Sequence, residues 1–325
     1  MTDILDLALA NLISPIILSF ALGLAAALAR SDLTIPEAVA KGMSIYLLFA
    51  IGFKGGAAVA AHGVDGTLLS AILAGVVLSF GLPFIAFALL KILTRLDVTD
   101  AAAVAAHYGS ISIVTFVAGT SVLADRAISA EGYMVAVAAA MEAPAILSAL
   151  WLVARGGSGG RMAPGLLREI LLNGSIVLLV GSFVIGAVTG EKGLAQIASF
   201  IVNPFQGVLC LFLLDMGLIA GRGLRQARGV VSLPMVAFGI VMPLTGSVIG
   251  LGLGLLIGLS TGGVMLLMVL AASASYIAVP AAMRVALPKA NPAIYLTLSL
   301  GVTFPFNLTL GIPIYLALAQ TVTGG

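Results

Sequence analysis

Glu142 sits inside an apolar run, Met141-Glu-Ala-Pro144. A carboxylate at membrane depth costs about 3 kcal/mol or more unless it is paired or solvated. It suits a sodium ligand or a proton carrier; the third reading is a structural pair with a nearby basic group. Two hydroxyl clusters stand in equally apolar surroundings. One is His107-Tyr-Gly-Ser-Ile-Ser-Ile-Val-Thr115, the other Ala271-Ala-Ser-Ala-Ser-Tyr-Ile-Ala-Val-Pro280. Gly109 and Pro280 loosen the backbone ladder there. Unwound backbone is tolerated in a membrane only where it lines a cavity or is buried in protein. Broken helices aim half-helix N-termini at an anion, with hydroxyls and carbonyls beside them for a cation. The candidate anion-binding residues are therefore Gly109, Ser110, Ser112, Thr115, Ser273, Ser275, Tyr276 and Asn307. The candidate cation ligands are Glu142, Ser112, Ser275 and Thr303. The competing reading makes the serines small packing residues between helices.

Other polar residues offer less. Lys54 and Asp215 invite pairing, but their spans run in opposite directions. They fall on the order of 8 and 9 Å to either side of the midplane. Lys54 then snorkels or lines a vestibule. His62 and His107 have no metal-ligand spacing, and no phosphate loop is present. Asp97, Asp100, Asp125 and Arg126 read as solvated loop charges. No nucleophile motif frames His107 and its serines, so an enzyme is not expected.

The elements that position these groups are membrane spans. Of the 325 residues, 61% are hydrophobic and 9% charged, against roughly 25% charged in soluble domains. This excludes a soluble enzyme, a disordered chain and a nucleic-acid binder, which needs a basic stripe. One cysteine, Cys210, excludes an intrachain disulfide framework. The acidic start, Met1-Thr-Asp-Ile-Leu-Asp6, argues against a cleaved signal peptide. At about 20 apolar residues per span, ten spans emerge: 8–29, 36–61, 67–93, 101–124, 131–154, 168–189, 197–221, 229–258, 262–287 and 291–320. The eighth is long enough for a kink at Pro243 or a split. Continuous apolar runs argue against strands. Arg30, Lys41, Lys91, Arg95, Arg155, Arg161, Arg168, Arg222, Arg225, Arg228, Arg284 and Lys289 fall on one side, and Arg126 and Lys192 on the other. That bias places the first side in the cytoplasm and both termini outside.

The chain divides into halves. Asn11 and Asn173 open the first and sixth spans. Gly52 and Gly56 match Gly217 and Gly221, and Ser110 and Ser112 match Ser273 and Ser275. A near-constant offset over five helices, an odd number, predicts a second copy inserted upside down. The expected fold is all-α, with ten transmembrane helices in two inverted five-helix repeats and broken crossing helices 4 and 9. The repeats are 1–155 and 168–325, joined by a cytoplasmic linker at 156–167. Such repeats mark secondary transporters. The same offset carries Pro144 onto Asn307, so both halves break the apolar run at matching depth.

Several stretches carry a resemblance. They are Ile35-Pro-Glu-Ala38, Ile51-Gly-Phe-Lys-Gly-Gly56, Met141-Glu-Ala-Pro-Ala145, Ala271-Ala-Ser-Ala-Ser275, Pro288-Lys-Ala-Asn-Pro292 after Arg284, Gly311-Ile-Pro313 and Leu318-Ala-Gln-Thr321. In this order they resemble the sodium-dependent bicarbonate transporter family, over nearly the whole chain and most strongly at 265–322. The resemblance implies a sodium-coupled symporter of a small anion, working by alternating access in a bacterial inner membrane. It implies a moving core of spans 3–5 and 8–10, a scaffold of spans 1, 2, 6 and 7, and a homotrimer. It requires no cofactor beyond sodium as the coupling ion. Family members are also regulated by a small signalling protein resembling P-II; the short link at 155–168 speaks against that partner here. Three departures touch the site. Ile113 and Val114 replace a small polar run, and Glu142 replaces Asp. Tyr276 replaces an Asp, followed by Ala278 and Val279 in place of a Ser-Gly pair. The alternatives are the same scaffold with a larger, proton-coupled organic anion, and a channel.

Overall fold

A computed structural model describes residues 13–63, 66–142, 144–155, 172, 174–226, 230–276, 279–280, 282–283 and 287–324. Asn11, Asn173, Ala278 and the 156–167 linker lie outside them, as does the side chain of His62. The described residues form helices and no strand. The helices are α1 (Pro15–Leu28), α2 (Glu37–His62), α3 (Gly66–Leu93), α4 (Val98–Gly109), α5 (Ile113–Asp125) and α6 (Met134–Ala140). They continue as α7 (Pro144–Arg155), α8 (Gly174–Ile201), α9 (Phe205–Gln226), α10 (Leu233–Ile257), α11 (Thr261–Ala272) and α12 (Pro292–Thr323). Eight described helical stretches are long and apolar enough to cross a membrane.

Several boundaries differ from the sequence expectation. The sixth span breaks at Gly190 (φ 60°, ψ −153°), directly after the expected end at 189, and a second helical stretch then carries Glu191 and Lys192 on to Ile201. The eighth is one continuous helix despite Pro243. The fifth is interrupted between Ala140 and Pro144. In α12, Thr297–Thr303 and Asn307–Gly311 are wide π-helical turns. Pro305 and Pro313 follow them closely, where a regular helix would clash with the proline ring.

Glycines set the tightest contacts. A Cβ on Gly23 would collide with the Leu214 carbonyl, and one on Gly217 with that of Phe20, so the backbones of α1 and α9 touch. Gly186 meets the Phe53 carbonyl and Gly56 that of Phe183, so α2 and α8 touch likewise. Small residues let membrane helices approach this closely. Gly23 and Gly186 are 163 residues apart, Gly56 and Gly217 161. The packing thus gives Gly56 the role of Gly217, one turn away from the Gly56–Gly221 match read from sequence.

The same spacing governs the caps. Asp97 caps α4 by accepting from Asp100 N (2.8 Å), and Ser260 caps α11 by accepting from Gly263 N (3.1 Å). Both helices start and end 163 residues apart. Asp97 and Asp100 are therefore not merely solvated. Asp100 accepts from Asn291 N at the start of α12 (2.7 Å), while Glu131, ahead of α6, accepts from Ser260 N (2.6 Å) and Oγ (3.0 Å).

Candidate functional site

The chain leaves helical geometry after α4 and again after α11. Ser110 (φ −86°, ψ 161°) and Ser273 (φ −82°, ψ 161°) are both extended C-caps. The freed backbone groups need partners, and each segment supplies the other's. Ser112 N donates to Ser273 Oγ (2.9 Å), whose own proton goes to Leu270 O (2.9 Å). Ser275 N donates to His107 O (2.7 Å), and His107 Nδ1 bonds Ser275 O. A carbonyl only accepts, so Nδ1 carries the ring proton and Nε2 offers a lone pair. Ser112 Oγ accepts from Thr115 N (3.2 Å) and Thr115 Oγ1 (2.9 Å), capping α5.

Two more predicted residues tie α12 to this knot. Asn307 Nδ2 donates to Ala272 O (2.8 Å) and its Oδ1 accepts from Tyr315 (2.8 Å). Thr303 Oγ1 donates to Gly239 O (2.6 Å) and accepts from Tyr108 (2.7 Å). Both therefore spend their side-chain polar atoms on the protein. Gly109 lets α4 end against Pro83 and the Ser79 carbonyl, where any Cβ would collide. Tyr276 Oη lies beside Ser112 without a hydrogen bond of good geometry, and its ring packs on Phe304 (5.2 Å).

Among the described residues, four buried polar atoms lack a partner: His107 Nε2, Ser110 Oγ, Glu142 Oε2 and Tyr276 Oη. Most buried polar atoms are paired, so each orphan marks strain or a ligand position. Glu142 sits at the α6–α7 interruption, where Ser79 Oγ donates to Met141 O (2.6 Å). No hydrogen bond links Glu142 to the serines among the described residues. His107, stacked on Tyr295 (4.7 Å), had only its neighbourhood with the serines to mark it in the sequence; its partner lies 168 residues away.

Cavities lie on either side. One of about 680 Å³ is lined by Met216, Arg222, Tyr276, Ala293, Thr297 and Leu300. One of about 270 Å³ is lined by Lys54, Gly55, Phe116, Ala130, Met134 and Phe205. Gly55 and Met216 differ by 161 residues; Ala130 and Ala293, and Met134 and Thr297, differ by 163. Lys54 and Asp215 do not pair. Lys54 Nζ lies 4.6 Å from the Phe205 ring centre, and Phe205 is ten residues, about 15 Å, from Asp215 along α9.

The Ser273 link is testable. Ser273→Ala strands the buried Ser112 N–H, an expected cost of about 1–3 kcal/mol. Thermal unfolding in detergent should show a lowered midpoint; an unchanged one would deny the bond that weight.

No curated protein matches this chain. Comparison with protein families matches residues 15–320 to the Na+-dependent bicarbonate transporter superfamily. The match covers nearly every described element, from α1 to α12, and the chain belongs to that superfamily of multi-pass transporters.

Proposed function

We propose that this protein is a secondary active transporter in which sodium binding drives symport of a small anion, bicarbonate by family, through alternating access. The observation that carries the reading is the mutually bonded pair of serine segments between two cavities whose linings correspond at offsets of 161 and 163. Such correspondence supports two inverted five-helix repeats. The backbone contacts within α1–α9 and α2–α8 support a scaffold of spans 1, 2, 6 and 7 around a moving core of spans 3–5 and 8–10. The unequal cavities then represent one end open and the other closed. The basic residues Arg222 and Arg225 near the larger cavity make it the cytoplasmic end. A bacterial inner membrane and a homotrimer complete the proposal.

Within the site, the unpaired carboxylate of Glu142 attracts the cation, with Ser275 and the Ser112 carbonyl as oxygen donors, since the Ser112 hydroxyl oxygen already accepts two hydrogen bonds. The anion sits at the N-terminus of α5, where free N–H groups and the helix dipole favour negative charge. Ser110 and Tyr276 offer it unspent hydroxyls. Thr115 and Ser273 hold the two segments in place, and Gly109, Thr303 and Asn307 position them.

One observation favours a second reading. The larger cavity is walled by Tyr276, Leu296 and Leu300, which suits a bulkier organic anion, with Glu142 carrying a proton. Labelled bicarbonate uptake into proteoliposomes at fixed pH, with and without an inward sodium gradient, separates the two. Sodium-dependent accumulation is the expected result. Absence of uptake by folded protein would replace bicarbonate with another anion.

A further inference from the structure

Lys54 has no task in the scheme above. It lies in α2 beside Gly55 and Gly56, and it lines the smaller cavity together with Phe205. No carboxylate lies within ion-pair distance of it, and no hydrogen bond reaches it, among the described residues. Its one close partner is the face of Phe205, 4.6 Å away. A cation–π contact is worth about 0.5–2 kcal/mol, less than an ammonium loses on leaving water. Glu131 lines the same cavity, but both its oxygens are held by Ser260 at the start of α11. The cavity thus has a three-donor cation with no carboxylate in reach among the described residues, and a carboxylate already bound elsewhere.

Size and position agree. About 270 Å³ exceeds a carboxylate-sized oxyanion and leaves room for several waters at about 30 Å³ each. The wall includes Phe116, one turn beyond Ser112, and Leu266, one turn before Leu270, whose carbonyl takes the Ser273 proton. The cavity wall therefore comes within one to two helical turns of the serine segments, at the end opposite Arg222.

We propose that Lys54 is a receiving site for a small oxyanion of the carboxylate or bicarbonate class, which exchanges with the Phe205 face before the anion moves on to the serines. The proposal rests on reading this chain as an anion transporter.

The test uses the full-length protein in proteoliposomes. An amine-acylating reagent is added from the Lys54 side, and acylation of Lys54 is followed by mass spectrometry, with exposed Lys192 as internal reference. Sodium bicarbonate, sodium formate and sodium chloride are compared at equal ionic strength. Bicarbonate at ten times its half-protecting concentration should slow Lys54 acylation about tenfold and leave Lys192 unchanged. In parallel, Lys54→Met should raise the KM for bicarbonate on that side, and Lys54→Arg should restore it. Acylation of Lys54 indifferent to both oxyanions overturns the proposal, even if bicarbonate is transported. Protection by formate in a protein that moves no bicarbonate upholds it and overturns only the choice of substrate.

Discussion

Glu142→Gln should abolish gradient-driven accumulation while leaving the protein folded and more stable. The carboxylate is buried, with Oε2 unpartnered. Unpaired charge at that depth costs about 3 kcal/mol or more, and the neutral amide of similar shape removes the cost. Removing a charged ligand from a buried cation costs about 3 kcal/mol as well, close to a hundredfold in affinity. The two effects have opposite signs, which makes the variant diagnostic. A raised thermal midpoint with loss of uptake fits a carboxylate kept for transport at the expense of stability. A lowered midpoint fits a structural partner instead. Normal uptake would rule out both sodium and proton coupling through this residue.

The second large effect is expected at Gly56. Leucine there would drive its side chain into the Phe183 carbonyl and the Ala187 amide, both backbone atoms that cannot turn aside. The α2 and α8 backbones must separate, at about 3 kcal/mol. The variant should give little monodisperse protein in detergent and a much lower thermal midpoint. Gly181→Ala in α8, where an added Cβ meets nothing, is the control and should match the unaltered protein or exceed it by up to about 1 kcal/mol. Equal behaviour of the two variants would deny the close contact.

Much of this architecture is legible in the chain because a membrane imposes simple demands. Continuous apolar runs mark the helices, and the serine clusters mark the extended caps at Ser110 and Ser273. What escapes the sequence is mostly non-local. Asp100 reads as a loop charge because its partner, Asn291, lies 191 residues away, and Glu131 goes unnoticed because its partner, Ser260, lies 129 residues away. His107 gave no metal pattern; its bond to Ser275 exists only once α4 and α11 meet. Glu191 and Lys192 read as a loop, but they open a second helical stretch after the break at Gly190, whose positive φ a glycine takes without strain. The glycine match read from sequence falls one turn off because each helix carries a glycine pair four residues apart, Gly52 and Gly56 in α2 and Gly217 and Gly221 in α9. Only the backbone contact of Gly56 with Phe183 fixes the register.

The wide turns of α12 carry a further consequence. Each closes with a longer hydrogen-bonded ring than the regular helix and so holds about one surplus residue. The wide turn absorbs that surplus locally, so the helix beyond it keeps its phase. Excising a residue from Asn307–Gly311 would regularise the ladder and leave the following stretch turned much as before, but the Pro313 ring would then meet the carbonyl one turn back. The same excision in a regular stretch would rotate everything beyond it by about 100°. The wide turn is therefore where this helix makes room for its proline, and length and composition are constrained together there.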